Sequence, residues 1–225
     1  MTGEENARQR MDGIYRHQRH VYDLTRKLFL LGRDHLIEDL RPPPDATILE
    51  IGCGTGRNLI FAARQYPQIR LYGLDVSPMM LETAEEKILG LGFSQRIALS
   101  LGDATNFSPE NLFGAPYFDR VFFSYAVSMI PNWQFALSQA YKVVRPGGSL
   151  HVVDFGQQDD LPSWFKRGVE IWLGKFSVTP QAALYDLMRE LATVDGGRVR
   201  FATLYRDYVR YAVIEKPLAD DVVAA

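Results

Sequence analysis

Cysteine is almost absent. Cys53 stands alone, so the chain can close no internal disulfide, and four histidines offer no cluster at the spacing of a zinc site. A reducing cytoplasm is the expected compartment, and no resident metal is expected. Charge of one sign is also scarce: the net charge of -2 and pI near 6.1 argue against a general nucleic-acid binder, which needs a clear basic excess. Met1 to Arg10 is polar and lacks the apolar core of a signal peptide. No stretch reaches the eighteen or so apolar residues of a spanning helix, so a membrane would be touched from one side only. Repeats and low-complexity blocks are missing too. What remains is 225 residues, 47% hydrophobic, enough for one sizeable core.

The stretch Ile48-Leu49-Glu50-Ile51-Gly52-Cys53-Gly54-Thr55-Gly56 reads as a buried strand running into a glycine turn that a ligand can approach closely. Arg41-Pro42-Pro43-Pro44-Asp45 before it is a stiff connector and marks a boundary. Beyond it strands and helices alternate. Strands are expected near Thr47–Ile51, Arg70–Leu74, Arg96–Leu101, Asp119–Ser124 and Ser149–Phe155, and helices near Asn58–Tyr66, Pro78–Leu89 with Ser77 as cap, and Pro131–Val144. Arg145-Pro146-Gly147-Gly148 reads as a turn, Leu161 to Leu191 as helical, and Val199–Leu204 with Tyr208–Ile214 as a closing hairpin around Tyr205-Arg206-Asp207.

Dinucleotide-binding turns place a further glycine where this chain has Arg57. An acid followed by Gly-x-Gly-x-Gly instead resembles motif I of the class I S-adenosylmethionine-dependent methyltransferases. Asp75 closing the second strand, Asp103 in Leu101-Gly102-Asp103-Ala104, and Arg145-Pro146-Gly147-Gly148 before the fifth follow in the family's order. The resemblance implies a Rossmann-like doubly wound α/β sheet of seven strands, mostly parallel with a terminal antiparallel hairpin, and S-adenosylmethionine as cofactor. It also implies roles. Asp75 would accept from the ribose hydroxyls, Asp103 from the adenine amino group with a backbone contact from Ala104, and Val76, Met79 and Met80 would line the adenine. Glu50 or the turn amides, with Gly52, Gly54 and Gly56, would face the methionine end. Each acid taken alone is as readily a helix cap or turn residue.

Methyl transfer from a sulfonium is an in-line displacement with an activated donor, so the protein mainly aligns the nucleophile and excludes water. Ser124-Tyr125-Ala126-Val127-Ser128-Met129-Ile130, after the fourth strand, lacks the Asn/Asp-Pro-Pro-aromatic signature of enzymes that methylate nucleic-acid bases. Ser124 is assigned to the cofactor side. Tyr125 and Ser128 face the site or, equally for Tyr125, pack with the hydroxyl at the surface. His151 reads as core.

The first segment, residues 1–44, reads as a helical lid over a catalytic domain spanning 45–225, with an aromatic insertion near 157–193. From Ala7 to Arg33 it carries seven basic residues against two acids, a net +5. Trp164, Phe165, Trp172 and Phe176 stand among Lys166, Arg167 and Lys175, the mixture of an interfacial helix on an anionic bilayer, or of an ordinary pocket helix. Tyr15-Arg16-His17-Gln18, Val21 to Lys27 and Leu30 to Asp34 resemble the bacterial diacylglyceryl-homoserine N-methyltransferases, which make betaine lipids.

That resemblance implies trimethylation of a lipid amine by a protein peripheral on the inner face of the membrane. The partner is then a lipid substrate, with no nucleic acid and no transmembrane segment. A neutral amine must lose a proton at each round; Tyr15, Tyr22, His20 and Tyr125 are candidates, Tyr22 preferred for positioning. Arg26 and Arg33 would bind a carboxylate, of the cofactor or of the homoserine. Gly13 and Gly32 are possible hinges. The alternatives are a phosphatidylethanolamine N-methyltransferase, a soluble quinone or small-metabolite methyltransferase, and a non-catalytic cofactor-binding module.

Overall fold

The structure is a computed structural model and describes residues 30–174, 176 and 178–219. In chain order it comprises α1 (Arg33–Asp39), β1 (Thr47–Ile51), α2 (Arg57–Gln65), β2 (Arg70–Asp75), α3 (Pro78–Gly90), β3 (Ile97–Leu101), α4 (Pro109–Phe113) and β4 (Phe118–Ser124). A 3₁₀ turn (Val127–Met129), α5 (Trp133–Lys142), β5 (Val144–Phe155), α6 (Ser163–Gly174), α7 (Leu184–Thr193), β6 (Arg198–Leu204) and β7 (Val209–Glu215) complete it. The seven strands form one sheet in the order β3-β2-β1-β4-β5-β7-β6, parallel except where β7 pairs with β5 and β6.

This is the expected Rossmann-like seven-stranded sheet. Strand order reverses between β1 and β4, which opens a crevice at their carboxyl ends, where ligands of such sheets bind. The central strands are covered on both faces: Ile48, Leu49, Ile51, Val121, Phe122 and Phe123 are fully buried, divided between two cores on opposite sides. Helices α2 and α3 begin as their sequences dictate. Gly56 enters α2 in the left-handed region, at φ 72°, and Ser77 caps α3 by accepting from Met80 N at 3.4 Å, with Pro78 at the first helical position.

Three readings need correction. The Leu161–Leu191 stretch is not one helix: Thr179-Pro180 lies in the break between α6 and α7, and a residue before proline is driven out of helical geometry. Arg145–Gly148 is not a separate turn but belongs to β5, where Gly147 at φ 75° and a register shift between Phe118 and Arg120 absorb the extra residues as a bulge. The expected helix over Pro131–Val144 is shorter, and the short α4 was not foreseen. The hairpin stands as expected, with Tyr205, Arg206 and Asp207 all at positive φ, 53°, 59° and 56°.

Candidate functional site

At the carboxyl edge the glycine turn and the strand-end acids form one connected unit. Asp75 Oδ2 accepts from Gly54 N at 2.7 Å and its Oδ1 from Ser77 N at 2.9 Å, so the acid ties the turn after β1 to the start of α3. Gly52, Gly54 and Gly56 all have positive φ. Two of them also answer a packing demand: a Cβ at Gly52 would lie 2.6 Å from Ala126 Cβ, and one at Gly56 would lie 3.1 Å from Ala84 Cβ.

Glu50 is 1% exposed at the end of β1. Its Oε1 accepts from Asn58 Nδ2 at 2.7 Å, while Oε2 is buried with no hydrogen-bond partner among the described residues. Burial pushes its carboxyl up to about 8, against the opposing pull of Asn58, Arg33 and Arg57. An orphaned buried carboxylate oxygen is a vacancy for a cation or donor. It faces a cavity of about 230 Å³ lined also by Leu30, Arg33, Gly54, Lys87 and Ser124. Arg33 is buried, and its Nε donates to Leu30 O at 3.2 Å. A larger hollow of about 500 Å³ lies between α3 and β3, but Glu82, Glu85 and Glu86 line it and none of the strand-end acids does.

Asp103 follows β3. Its Oδ1 is held at 2.7 Å by both the amide and the hydroxyl of Thr105, a local turn that leaves Oδ2 without a recorded partner among the described residues. Ala104 and Val76, just past the ends of β3 and β2, are half-buried, and Met80 in the first turn of α3 is buried. Ser124 lines the cavity, and its Oγ is buried and unpartnered.

Tyr125 adopts φ 56° and is buried, its hydroxyl donating to Leu31 O at 2.5 Å. That bond fastens the exit of the first segment to the loop after β4. Burial, with Asp154 next in weight, holds the phenol well above its usual range. Asp154, at the end of β5, accepts from Ser128 N at 2.9 Å and from its neighbour's amide, and burial raises its carboxyl to about 6. Tyr15, His20, Tyr22 and Arg26, together with Gly13 and Lys175, lie outside the described residues. His151 is core, as expected: its Nε2 meets Ser149 Oγ at 2.8 Å and its Nδ1 meets Tyr211 OH at 2.7 Å, and burial depresses it to about 3.

The sequence did not point to Asn58, which donates to Glu50, although an amide in the first turn of α2 is placed to meet the preceding strand end. Nor did it point to Tyr208, whose hydroxyl is buried without a partner at the same edge. Among the described residues no group of three His, Cys, Asp or Glu is placed to hold a metal, and no helix is long and apolar enough to cross a membrane.

Residues 48–148 match a family described as a methyltransferase domain. A demethylmenaquinone methyltransferase of Listeria monocytogenes is 27% identical over 197 residues, 82% of this chain and 80% of that protein. An O-methyltransferase of Pyrenophora dematioidea is 27% identical over 78% of this chain and 62% of its own length. Among solved structures, a Haemonchus contortus phosphoethanolamine N-methyltransferase bound to phosphomonomethylethanolamine and S-adenosylhomocysteine superposes with a TM-score of 0.69 at 16% identity, covering 94% of this chain and 60% of that one. An Aquifex aeolicus S-adenosylmethionine-dependent methyltransferase gives 0.62 at 17% identity, covering 84% and 92%. With the glycine turn, the strand-end acids and the reversal of strand order on one sheet edge, the chain carries a methyltransferase domain on a Rossmann-like methyltransferase fold and is an S-adenosylmethionine-dependent methyltransferase.

Proposed function

We propose that the enzyme methylates the amine of a lipid headgroup at a membrane surface, converting diacylglyceryl-homoserine to its trimethylated betaine. The observation that carries this reading is the run Tyr15 to Asp34, whose residues resemble the betaine-lipid N-methyltransferases. The surface of α6 supports it. Trp164 is 76% exposed, with Phe165 and Ile171 also outward, while Val169 and Leu173 face the core. Aromatic and aliphatic side chains with a basic neighbour make a surface that can settle at headgroup level. Lys166 is already paired with Asp159 at 2.7 Å, which leaves Arg167 the more available cation there.

The cofactor supplies an electrophilic methyl on a sulfonium, and the chain's residues supply everything else. In this reading Asp75 holds the ribose, Asp103 the adenine, and Glu50 Oε2 the α-ammonium of the methionine part, with Arg33 near the carboxylate. Gly52, Gly54 and Gly56 set the backbone against it, Val76, Met80 and Ala104 line the base, and Ser124 faces the methionine end. Tyr22, with Tyr15 and His20, positions the amine and passes its proton toward water, and Arg26 meets a carboxylate. Tyr125 contributes through the loop that its hydroxyl fastens to Leu31. Closing the first segment over this edge excludes water from the displacement.

Phosphatidylethanolamine remains the runner-up acceptor. The Listeria relative, named for demethylmenaquinone, favours a quinone as the third. Incubating the full chain with methyl-labelled S-adenosylmethionine and vesicles carrying each lipid in turn separates them. Label in mono-, di- and trimethylated homoserine lipid is expected; label only in phosphatidylethanolamine or only in the quinone would replace the reading.

A further inference from the structure

Among the described residues, every buried side-chain oxygen that lacks a hydrogen-bond partner lies at the carboxyl edge of the sheet: Glu50 Oε2, Ser124 Oγ, Ser128 Oγ and Tyr208 OH. An unpaired buried polar atom costs free energy, and native structures hold few of them. Two of the four face the cofactor cavity. The other two, Ser128 and Tyr208, are absent from its lining and lie further along the edge, beyond Tyr125.

A run of aromatic rings joins the two groups. Tyr125, next to Ser124, meets Phe155 edge-on with ring centres 4.6 Å apart, and Phe155 meets Tyr208 edge-on at 5.9 Å. Successive ring planes stand at 65° and 84°, so the three rings present faces in different directions. Aromatic faces attract a cationic nitrogen. Asp154 immediately precedes Phe155 and fixes Ser128 through its amide, while Thr179 N donates to Ser128 O at 2.9 Å. The backbone here is strained as well: Tyr125, Gln158, Tyr205, Arg206 and Asp207 all sit at positive φ without being glycine. Strain of this kind persists where surrounding structure enforces it, and it gathers at functional sites. Asp207 is locked by Arg210 Nε at 3.1 Å and by Gln157 N at 3.1 Å, and that lock sets the position of Tyr208.

We propose that Tyr208, with Ser128 and its Asp154 neighbour, marks the acceptor subsite, the Tyr208 hydroxyl hydrogen-bonding the polar headgroup with the aromatic run Tyr125, Phe155 and Tyr208 alongside its nitrogen. The naming of that headgroup as an amine rests on the proposed function; the assignment of the Tyr208 hydroxyl rests on its burial without a partner among the described residues. Val169 and Leu173 of α6 lie in the same core cluster as the three rings.

The test is Tyr208→Phe in the full chain, with Ser128→Ala beside it. Three quantities are read: melting temperature, S-adenosylhomocysteine affinity by calorimetry, and kcat/KM for vesicles of diacylglyceryl-homoserine, phosphatidylethanolamine or demethylmenaquinol. Removing an unpartnered hydroxyl is expected to raise the melting temperature by about 2–4 °C. Cofactor-product affinity should stay within about twofold while kcat/KM for the acceptor falls about tenfold, chiefly through KM. Unchanged kcat/KM would overturn the proposal, and so would a lowered melting temperature, which would make the hydroxyl structural. If wild type methylates only demethylmenaquinol, the homoserine reading fails separately. The Tyr208 hydroxyl is then judged on the quinol, where a tenfold loss retains it in the acceptor subsite and an unchanged rate removes it.

Discussion

The two edges of one sheet are built on opposite principles. At the amino edge, buried polar groups are spent on the protein itself. Asp119 accepts from Thr47 N at 2.7 Å and from its hydroxyl at 3.1 Å, and pairs with Arg145 at 2.9 Å. Arg120 donates to Leu40 O at 2.7 Å, and Arg96 covers the carbonyls of Ala63, Tyr66 and Pro67. At the carboxyl edge Glu50, Ser124, Ser128 and Tyr208 each keep an oxygen unpaired, and five of the seven non-glycine residues described at positive φ are found there. One edge is stable because its hydrogen bonds are closed. The other keeps buried oxygens unpaired at a cost in stability, and in the proposed function a ligand completes it.

Removing Asp75 should break the carboxyl edge most severely. Asp75→Ala strips the acceptors from Gly54 N and Ser77 N and, in the proposed reading, from the ribose, so S-adenosylhomocysteine affinity should fall about a hundredfold or more, read by calorimetry. Glu50→Gln is the next largest and separates the edges by pH. Glu50's folded value, about 8, stands above its ordinary 4.5, so its contribution to stability is full below the ordinary value and is lost as pH rises through the folded one. Wild type should therefore lose thermal stability between about pH 4.5 and 8 relative to the glutamine variant. In the same interval its affinity for the cofactor's ammonium should climb as the carboxylate forms, while the variant's stays weak and flat.

At the amino edge the signs reverse. Asp119→Ala leaves Thr47 and Arg145 without their acceptor and should cost about 2–3 kcal/mol in denaturant unfolding. Cofactor-product affinity below the melting transition should be unaffected. The smallest effect belongs to Tyr66→Phe, whose hydroxyl donates to Ile37 O at 2.9 Å: about 1 kcal/mol of stability lost and methyl transfer unchanged. It is the mirror of Tyr208→Phe, where stability rises and transfer falls.

Much of the carboxyl edge was legible in the sequence because parallel strands write their ends plainly. Asp75 and Asp103 each follow an apolar run, Glu50 interrupts one just before its end, and the glycines after Ile51 announce a turn; all three acids stand at strand ends on one edge. Tyr208 was not legible. It is carried to this edge by an antiparallel strand, through the pairing of Phe155 with Val209, and no local pattern encodes that register. The bulge in β5 hid for a similar reason, since Pro146-Gly147-Gly148 has the composition of a turn and only the partner strand reveals continued pairing. The break between α6 and α7 was legible in Thr179-Pro180, but a long run of aromatic and aliphatic residues masked it. Asn58 escaped notice because its meaning is a distance to Glu50.

Hydrogen exchange with and without S-adenosylhomocysteine tests the contrast between the edges most directly. Slowed exchange is expected at the turn 52–58, at 75–80 and at 103–106, with no change at 95–97 or 144–148. Protection that appeared equally at both edges, or only at the amino edge, would contradict the assignment of the carboxyl edge as the place where the ligand completes the fold.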